Sequence, residues 1–206
     1  MMKHLYELLD RYDAATGTDA KQLEQAIWDT YGCDRAVLVL DMSGFSRLTR
    51  RFGIVHYLAM VRRMQKTSAP LVLQFRGEVV KFEADNLYAT FGDAESAVLC
   101  ARAIRDEFAA TNQTTTDEKD VHVSIGIAWG RILVVDEHDY FGDAVNVACK
   151  LGEDLAERGE ILIDDEIKQR LPGELPGVQL EPLELTVSGL YLHAWGVREV
   201  PGGAVK

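Results

Sequence analysis

The chain has 206 residues, enough for one domain with appendages or two small ones, and its 47% hydrophobic and 27% charged content can bury a full core. A formal net charge of −11, with no local Lys/Arg cluster to offset it, disfavours nucleic acid and anionic lipid as partners, so a nucleotide would bind only at a site supplied with metal ions. No apolar run approaches the roughly 20 residues of a membrane span, and the opening Met-Met-Lys-His-Leu-Tyr-Glu-Leu-Leu-Asp lacks a signal-peptide pattern. Cys33, Cys100 and Cys149 are odd in number and lack metal-type spacing, which reads as reduced thiols in a cytoplasmic protein.

Residues 3–15 and 19–31 have the spacing of two amphipathic helices, with a break at Thr16-Gly17-Thr18 and Asp19 as the second helix's cap. Arg35–Leu40 is a continuous apolar run of strand length, which fits a strand buried on both faces. Helices are expected from Ser43 to Phe52 and from Ile54 to Phe75, the second kinked at Pro70. A hairpin follows, with strands at Glu78–Phe82 and Asn86–Phe91 around a turn at Glu83–Asp85.

Ala94, Ala97, Val98, Ala101, Ile104 and Phe108 form a helical stripe, and Thr111–Asp120 has the composition of a solvent loop. Val121–Trp129 alternates like a half-buried strand, and Arg131–Val135 is expected as a separate strand joined to it by Gly130. A helix from Asp143 to Arg158 would end on Gly159. A short strand at Ile161–Ile163, a short helix to Leu171, and tail strands at Val178–Leu185 and Leu190–Glu199 meeting at Ser188-Gly189 complete the chain.

From residue 35 the order is β-α-β-β-α-β, a ferredoxin-like split βαβ within an α+β fold. In that topology the first and third strands are antiparallel neighbours. Asp41 ends the first and Asp85 precedes the third, so two carboxylates 44 residues apart in sequence meet in space. Such a pair can hold two hard divalent cations, as phosphoryl or nucleotidyl transfer requires. An N-cap and a turn residue would account for two isolated acids equally well.

The neighbours of these acids add to the pattern. Met42-Ser43-Gly44-Phe45-Ser46 puts small residues at a strand-to-helix passage, where backbone N–H groups can face a phosphate. Lys81, in a strand otherwise made of Val79, Val80 and Phe82, either snorkels off an edge or serves a ligand. In Asp139-Tyr-Phe-Gly-Asp-Ala-Val-Asn146-Val-Ala-Cys-Lys150, Gly142 allows a close backbone approach, and Asn146 and Lys150 share one helical face. Solvent decoration of that face is the plain alternative.

Taken together, Leu-Asp-Met-Ser-Gly-Phe-Ser at 40–46, Gly-Glu-Val-Val-Lys at 77–81 with Asp85, Ser-Ile-Gly-Ile-Ala-Trp-Gly at 124–130 and Tyr-Phe-Gly-Asp-Ala-Val-Asn-Val-Ala at 140–148 resemble the class III nucleotidyl cyclase catalytic domain, the adenylate and guanylate cyclases, in a divergent bacterial-type form. The likeness runs over residues 35–198. It implies a palm-type cyclase domain at 33–206 with a helical hairpin extension at 1–32 and a C-terminal hairpin.

The resemblance also implies roles. Asp41 and Asp85, with Met42, match the metal-binding positions for two Mg²⁺ or Mn²⁺ ions per site. Lys81 and Asp139 match the lysine and aspartate that read the adenine edge, and residues 42–46 line the substrate. Asn146 matches the ribose-orienting asparagine, and Lys150 stands where the family has its transition-state arginine. Because the family builds each site from two subunits, a homodimer is implied, and the implied reaction is ATP to cyclic AMP and pyrophosphate.

Departures are also visible. Ala84 replaces a glycine of the family's Lys-x-x-Gly-Asp, the 131–139 connection is short, and Val187-Ser188-Gly189-Leu190 offers no phosphate-binding lysine. They leave two other readings, a non-catalytic cyclase-homology module that binds nucleotide or dimerises, and a cyclase for GTP or a pyrimidine triphosphate.

Overall fold

Five consecutive apolar residues, Ala36–Leu40, place strand β1 (Gly32–Met42) at the centre of the molecule, each fully shielded from solvent. The computed structural model describes residues 2–135, 139–173, 175–187 and 190–200, and at 45–48, 185–187 and 190–192 the backbone alone. Its other strands are β2 (Glu78–Glu83), β3 (Asn86–Phe91), β4 (Val123–Val135), β5 (Asp139–Phe141), β6 (Ile161–Asp164), β7 (Val178–Val187) and β8 (Leu190–Glu199). They form one sheet in the order β2-β3-β1-β4-β6-β8-β7, with β5 paired to β4 beside this path. Only β4 and β6 run parallel; the other pairs are antiparallel. This is the mixed α+β architecture expected from the strand and helix order.

The helices are α1 (Met2–Ala14), α2 (Gly17–Tyr31), α3 (Phe45–Phe52), α4 (Ile54–Gln74), α5 (Ala94–Asn112), α6 (Asp143–Cys149) and α7 (Asp165–Arg170). Strand alternation sorts the core into two layers. Leu38, Leu40, Leu87, Ile125 and Ile127 pack with Met60, Met64 and Ile104 of α4 and α5. Val37, Val39, Ala128 and Ile132 pack with Ala144 and Ala148 of α6. Truncating Leu38 or Leu40 to alanine would cost about 3 kcal/mol, because both are fully enclosed. A separate cluster of Leu5, Leu8, Ile27 and Tyr31 joins α1 and α2 to Val135 at the end of β4. Among the described residues no helix is long and apolar enough to cross a membrane.

Several expected boundaries move, each for a local reason. Helix α2 begins at Gly17 after an extended Thr16, so Asp19 lies in the first turn, where its charge still favours the helix N-terminus, rather than at the cap. Helix α3 begins at Phe45 and not at Ser43, because Gly44 takes φ +101° and the Ser43 N–H is spent on the His122 carbonyl at 2.9 Å. Helix α4 passes through Pro70 without ending.

Residues 123–135 are one strand rather than two. Gly130 is not a joint; it makes room for α6, since a Cβ there would stand 3.0 Å from the Ala144 Cβ. Nor is the strand's first half, Val123–Ala128, half-buried, for Ser124 is only 3% exposed and both faces are covered there. The helix expected over 143–158 is α-helical only to Cys149 and continues as a π-helical turn, Lys150–Leu155. Gly159 does not cap it. Its N–H bonds instead to Val123 O at 2.8 Å. Two further expectations, the Ser188-Gly189 turn and the middle of the 131–139 connection, lie outside the described residues.

Candidate active site

The antiparallel register of β1 and β3 sets Asp41 opposite Asn86, the residue immediately after Asp85. The expected carboxylate pair is therefore formed by strand pairing. Burial pushes the Asp41 carboxyl up to about 6, the charges of Asp85 and Glu153 add to the shift, and the Met42 N–H opposes it. Tyr57, buried on α4, closes the acids from the helical side. Its phenol is held above the usual tyrosine range by burial first, then by the nearness of the Asp85 and Asp41 carboxylates.

Glu153 faces the acids from the opposite layer. It accepts from Asn86 Nδ2 at 2.8 Å and from the Tyr88 hydroxyl at 3.3 Å. Its own carboxyl is raised, chiefly by burial. Since a carboxylate only accepts, the amide NH₂ of Asn86 must face Glu153, which turns its Oδ1 away. That oxygen is buried and has no hydrogen-bond partner among the described residues.

This end of the sheet fits a hard divalent cation in chemistry. It gathers carboxylates that repel one another and an unpartnered amide oxygen, all oxygen donors. Among the described residues no group of three or more His, Cys, Asp or Glu could hold a metal unaided, so substrate, main chain or water would complete the shell. The Met42 side chain is 1% exposed inside the core, which leaves only its main chain for such a role. The Ser43 N–H, committed to His122, drops out of the expected phosphate-facing set. Gly44 is exposed at the cap of α3, while the side chains of Phe45 and Ser46 lie outside the described residues.

The second constellation is also assembled. Lys81 Nζ stands 3.2 Å from Asp139 Oδ1 and 3.4 Å from Glu83 Oε2. The same Asp139 oxygen accepts the Tyr140 N–H at 3.0 Å, which fixes its direction. Burial lowers the Lys81 pKa, but Asp139 and Glu83 outweigh it and hold the ammonium above its ordinary value. The ammonium also lies 5.4 Å above the ring of Tyr88. Lys81 thus stands on the edge strand β2 with its ammonium held between Asp139 and Glu83.

Asn146 is exposed on α6, and Lys150, half-buried, opens the π-helical turn. Among the described residues no hydrogen bond or ion pair joins either side chain to the acids or to the Lys81–Asp139 pair. Sequence reasoning missed Glu153, Tyr88 and Tyr57. Tyr57 carried a faint signal, a hydroxyl on the apolar stripe of α4. Glu153 carried none, because its position depends on the π-helical turn.

The sequence matches the family model described as the adenylate and guanylate cyclase catalytic domain over residues 33–189. The chain belongs to this family. The cyclase domain is 35% identical over 138 residues to “Putative adenylate cyclase 3” of Rhizobium meliloti (strain 1021), covering 67% of this chain and 23% of the relative. It is 31% identical over 136 residues to an adenylate cyclase of Streptomyces coelicolor, covering 66% of this chain and 34% of that one. The chain therefore spans about a quarter to a third of the length of these relatives. Among solved structures, an adenylate/guanylate cyclase/hydrolase from Silicibacter pomeroyi superposes with a TM-score of 0.68 at 29% identity, covering 81% of this chain and 97% of that one. The adenylyl cyclase CyaB from P. aeruginosa, at 20% identity and a TM-score of 0.69 over 84% of this chain and 99% of that one, shares the fold.

Proposed function

We propose that this cyclase domain converts ATP to cyclic AMP and pyrophosphate as a homodimer, with two Mg²⁺ or Mn²⁺ ions at each site. The observation that carries the reading is the Asp41–Asp85 pairing at the β1/β3 end, where burial and like charge push Asp41 up to about 6 and, among the described residues, no basic side chain bears on it. Acids held together against their own repulsion suit a site whose ligand is cationic. Bound divalent ions would supply charge neutralisation on the triphosphate and a more acidic ribose 3′-hydroxyl.

This chain's residues would do the rest. Asp41 and Asp85 hold the ions. Lys81 donates to adenine N1 and Asp139 accepts from the 6-amino group. The two side-chain atoms are 3.2 Å apart, which suits adjacent groups on one base edge. Guanine presents the opposite donor and acceptor order at those atoms. Asn146 orients the ribose, and Lys150 meets the charge that builds on the phosphoryl oxygens. The names of the two relatives support adenylate over guanylate cyclase. In the head-to-tail dimer, the acids of one chain and Lys81, Asp139 and Asn146 of the other compose each site. The same reading divides the chain into a helical extension over 1–32 and the catalytic domain over 33–206.

One observation favours a second reading, a non-catalytic nucleotide-binding or dimerisation module. Lys150 replaces a planar, bidentate guanidinium with a point charge. The test is incubation of the purified protein with each of the four ribonucleoside triphosphates and Mn²⁺, with mass detection of cyclic products. Cyclic AMP from ATP is expected. A different cyclic nucleotide would reassign the base, and no product from any triphosphate would establish the non-catalytic module.

A further inference from the structure

Ala84, in the turn between β2 and β3, has φ +50°, a left-handed conformation that costs a side-chain-bearing residue roughly 1 kcal/mol. Such a conformation persists only where its surroundings fix it. Asp85 follows directly, so whatever fixes this turn also fixes Asp85. On its far side the turn opens into β3 at Asn86, which pairs with Asp41. Across the layers, Glu153 grips Asn86 at 2.8 Å and Tyr88 at 3.3 Å.

Glu153 reaches that point because of the π-helical turn. A Cβ on Gly152 would lie 2.8 Å from both Gly126 N and Val39 O, so the backbone at 152 rests directly on the sheet beside β1. The widened turn, closed by Ala156 N–H to Leu151 O at 2.8 Å, carries the next residue over the end of β3.

We propose that Glu153 is a positioning residue, a latch from the π-helical turn that holds Asn86 and Tyr88 and so keeps the strained 83–85 turn presenting Asp85 to Asp41. It acts as a hydrogen-bond acceptor and not as a metal ligand. This rests on the reading of Asp41 and Asp85 as metal-binding acids. Tyr88 extends the latch, since its ring lies beneath Lys81 and meets Tyr140 edge-on at 6.3 Å between centroids.

The test compares wild type, Glu153→Gln and Glu153→Ala in the full chain. Gln keeps an acceptor oxygen for Asn86 and Tyr88 but carries no charge. Mn²⁺ binding is read by electron paramagnetic resonance of free Mn²⁺ without nucleotide, and backbone order at 83–86 by amide hydrogen exchange. Glu153→Ala should weaken Mn²⁺ binding about 10-fold and speed exchange at 83–86, while Glu153→Gln recovers most of both. In turnover, Glu153→Ala should raise the half-saturating Mn²⁺ far more than the KM for ATP. Equal losses in Gln and Ala would overturn the latch in favour of a direct charge effect. Unchanged exchange at 83–86 in Glu153→Ala would overturn it outright. A wild type that binds no Mn²⁺ would overturn the metal reading instead, with the exchange measurement still deciding the latch.

Discussion

Gly126 on β4 and Gly152 in the π-helical turn lie back to back. A Cβ on Gly126 would stand 2.2 Å from Ala148 O and 2.4 Å from Gly152 N, and these are backbone atoms with no freedom to step aside. Gly126→Ala should therefore pry α6 and the π-helical turn off the sheet. A loss of at least about 3 kcal/mol is expected in denaturant unfolding, comparable to severe overpacking. A stability within about 1 kcal/mol of wild type would show that the layer can shift.

Replacing either acid should abolish turnover, because each supplies half of the charge that holds the ions. Asp41→Asn should also stabilise the metal-free protein. The folded carboxyl sits at about 6, above its ordinary 3.8, so the folded state binds a proton more tightly than the unfolded state. Stability from this group is highest below its ordinary pKa, falls as pH rises from about 4 to 6, and stays lost above that. In chelator at pH 7, Asp41→Asn should melt about 2 °C higher, a modest figure because Asp41 is only half-buried. The slope between pH 4 and 6 should shrink but persist, because burial also raises Asp164 to about 6, outweighing the lowering by the Ile167 and Trp129 N–H groups that donate to it. Thermal melts across pH check both statements.

Two inactive chains should complement each other. Mixing Asp41→Asn with Asn146→Ala forms some dimers in which one site has both acids from one chain and Asn146 from the other. About a quarter of wild-type activity is expected after random subunit exchange, from one intact site in half of the dimers. A mixture that stays inactive despite demonstrated exchange would rule out shared sites.

Lys150→Ala should lower kcat more than it raises KM, since the charge it meets develops in the transition state. Lys150→Arg should match or exceed wild type, because a guanidinium adds a planar fork. An effect confined to KM would assign Lys150 to ground-state phosphate binding.

The Lys81–Asp139 pair should choose the base. ATP should be favoured over GTP by at least roughly 10-fold in kcat/KM, on the order of 1.4 kcal/mol, because the wrong base would set donor against donor at Lys81 and acceptor against acceptor at Asp139. Lys81→Glu combined with Asp139→Cys should weaken or reverse that preference. Equal kcat/KM for the two nucleotides in wild type would remove these residues from base reading.

What the sequence disclosed and what it hid follow from the same physics. Ala36–Leu40 announced a central strand because both faces needed apolar cover, and β-α-β-β-α-β topology then brought Asp41 beside Asp85. Gly130 looked like a turn because glycine serves equally for a bend and for a close approach, and only the position of Ala144 tells which. Glu153 lay beyond reach, since helical periodicity presumes 3.6 residues per turn and the widened turn at 150–155 breaks that count. Ser43 failed as a phosphate donor because its N–H pairs with His122, 79 residues away, a contact that local pattern does not encode.

Val135 belongs to two neighbourhoods at once. Its side chain is sealed among Leu5, Leu8, Ile27 and Tyr31 of the N-terminal helices, and its backbone is the strand partner of Asp139. One hydrogen-bonded rung therefore separates the helical hairpin from the carboxylate beside Lys81. The seat of the hairpin and the placement of Asp139 thus share one rung of the β4–β5 ladder, while α2 runs straight into β1, the strand that ends at Asp41.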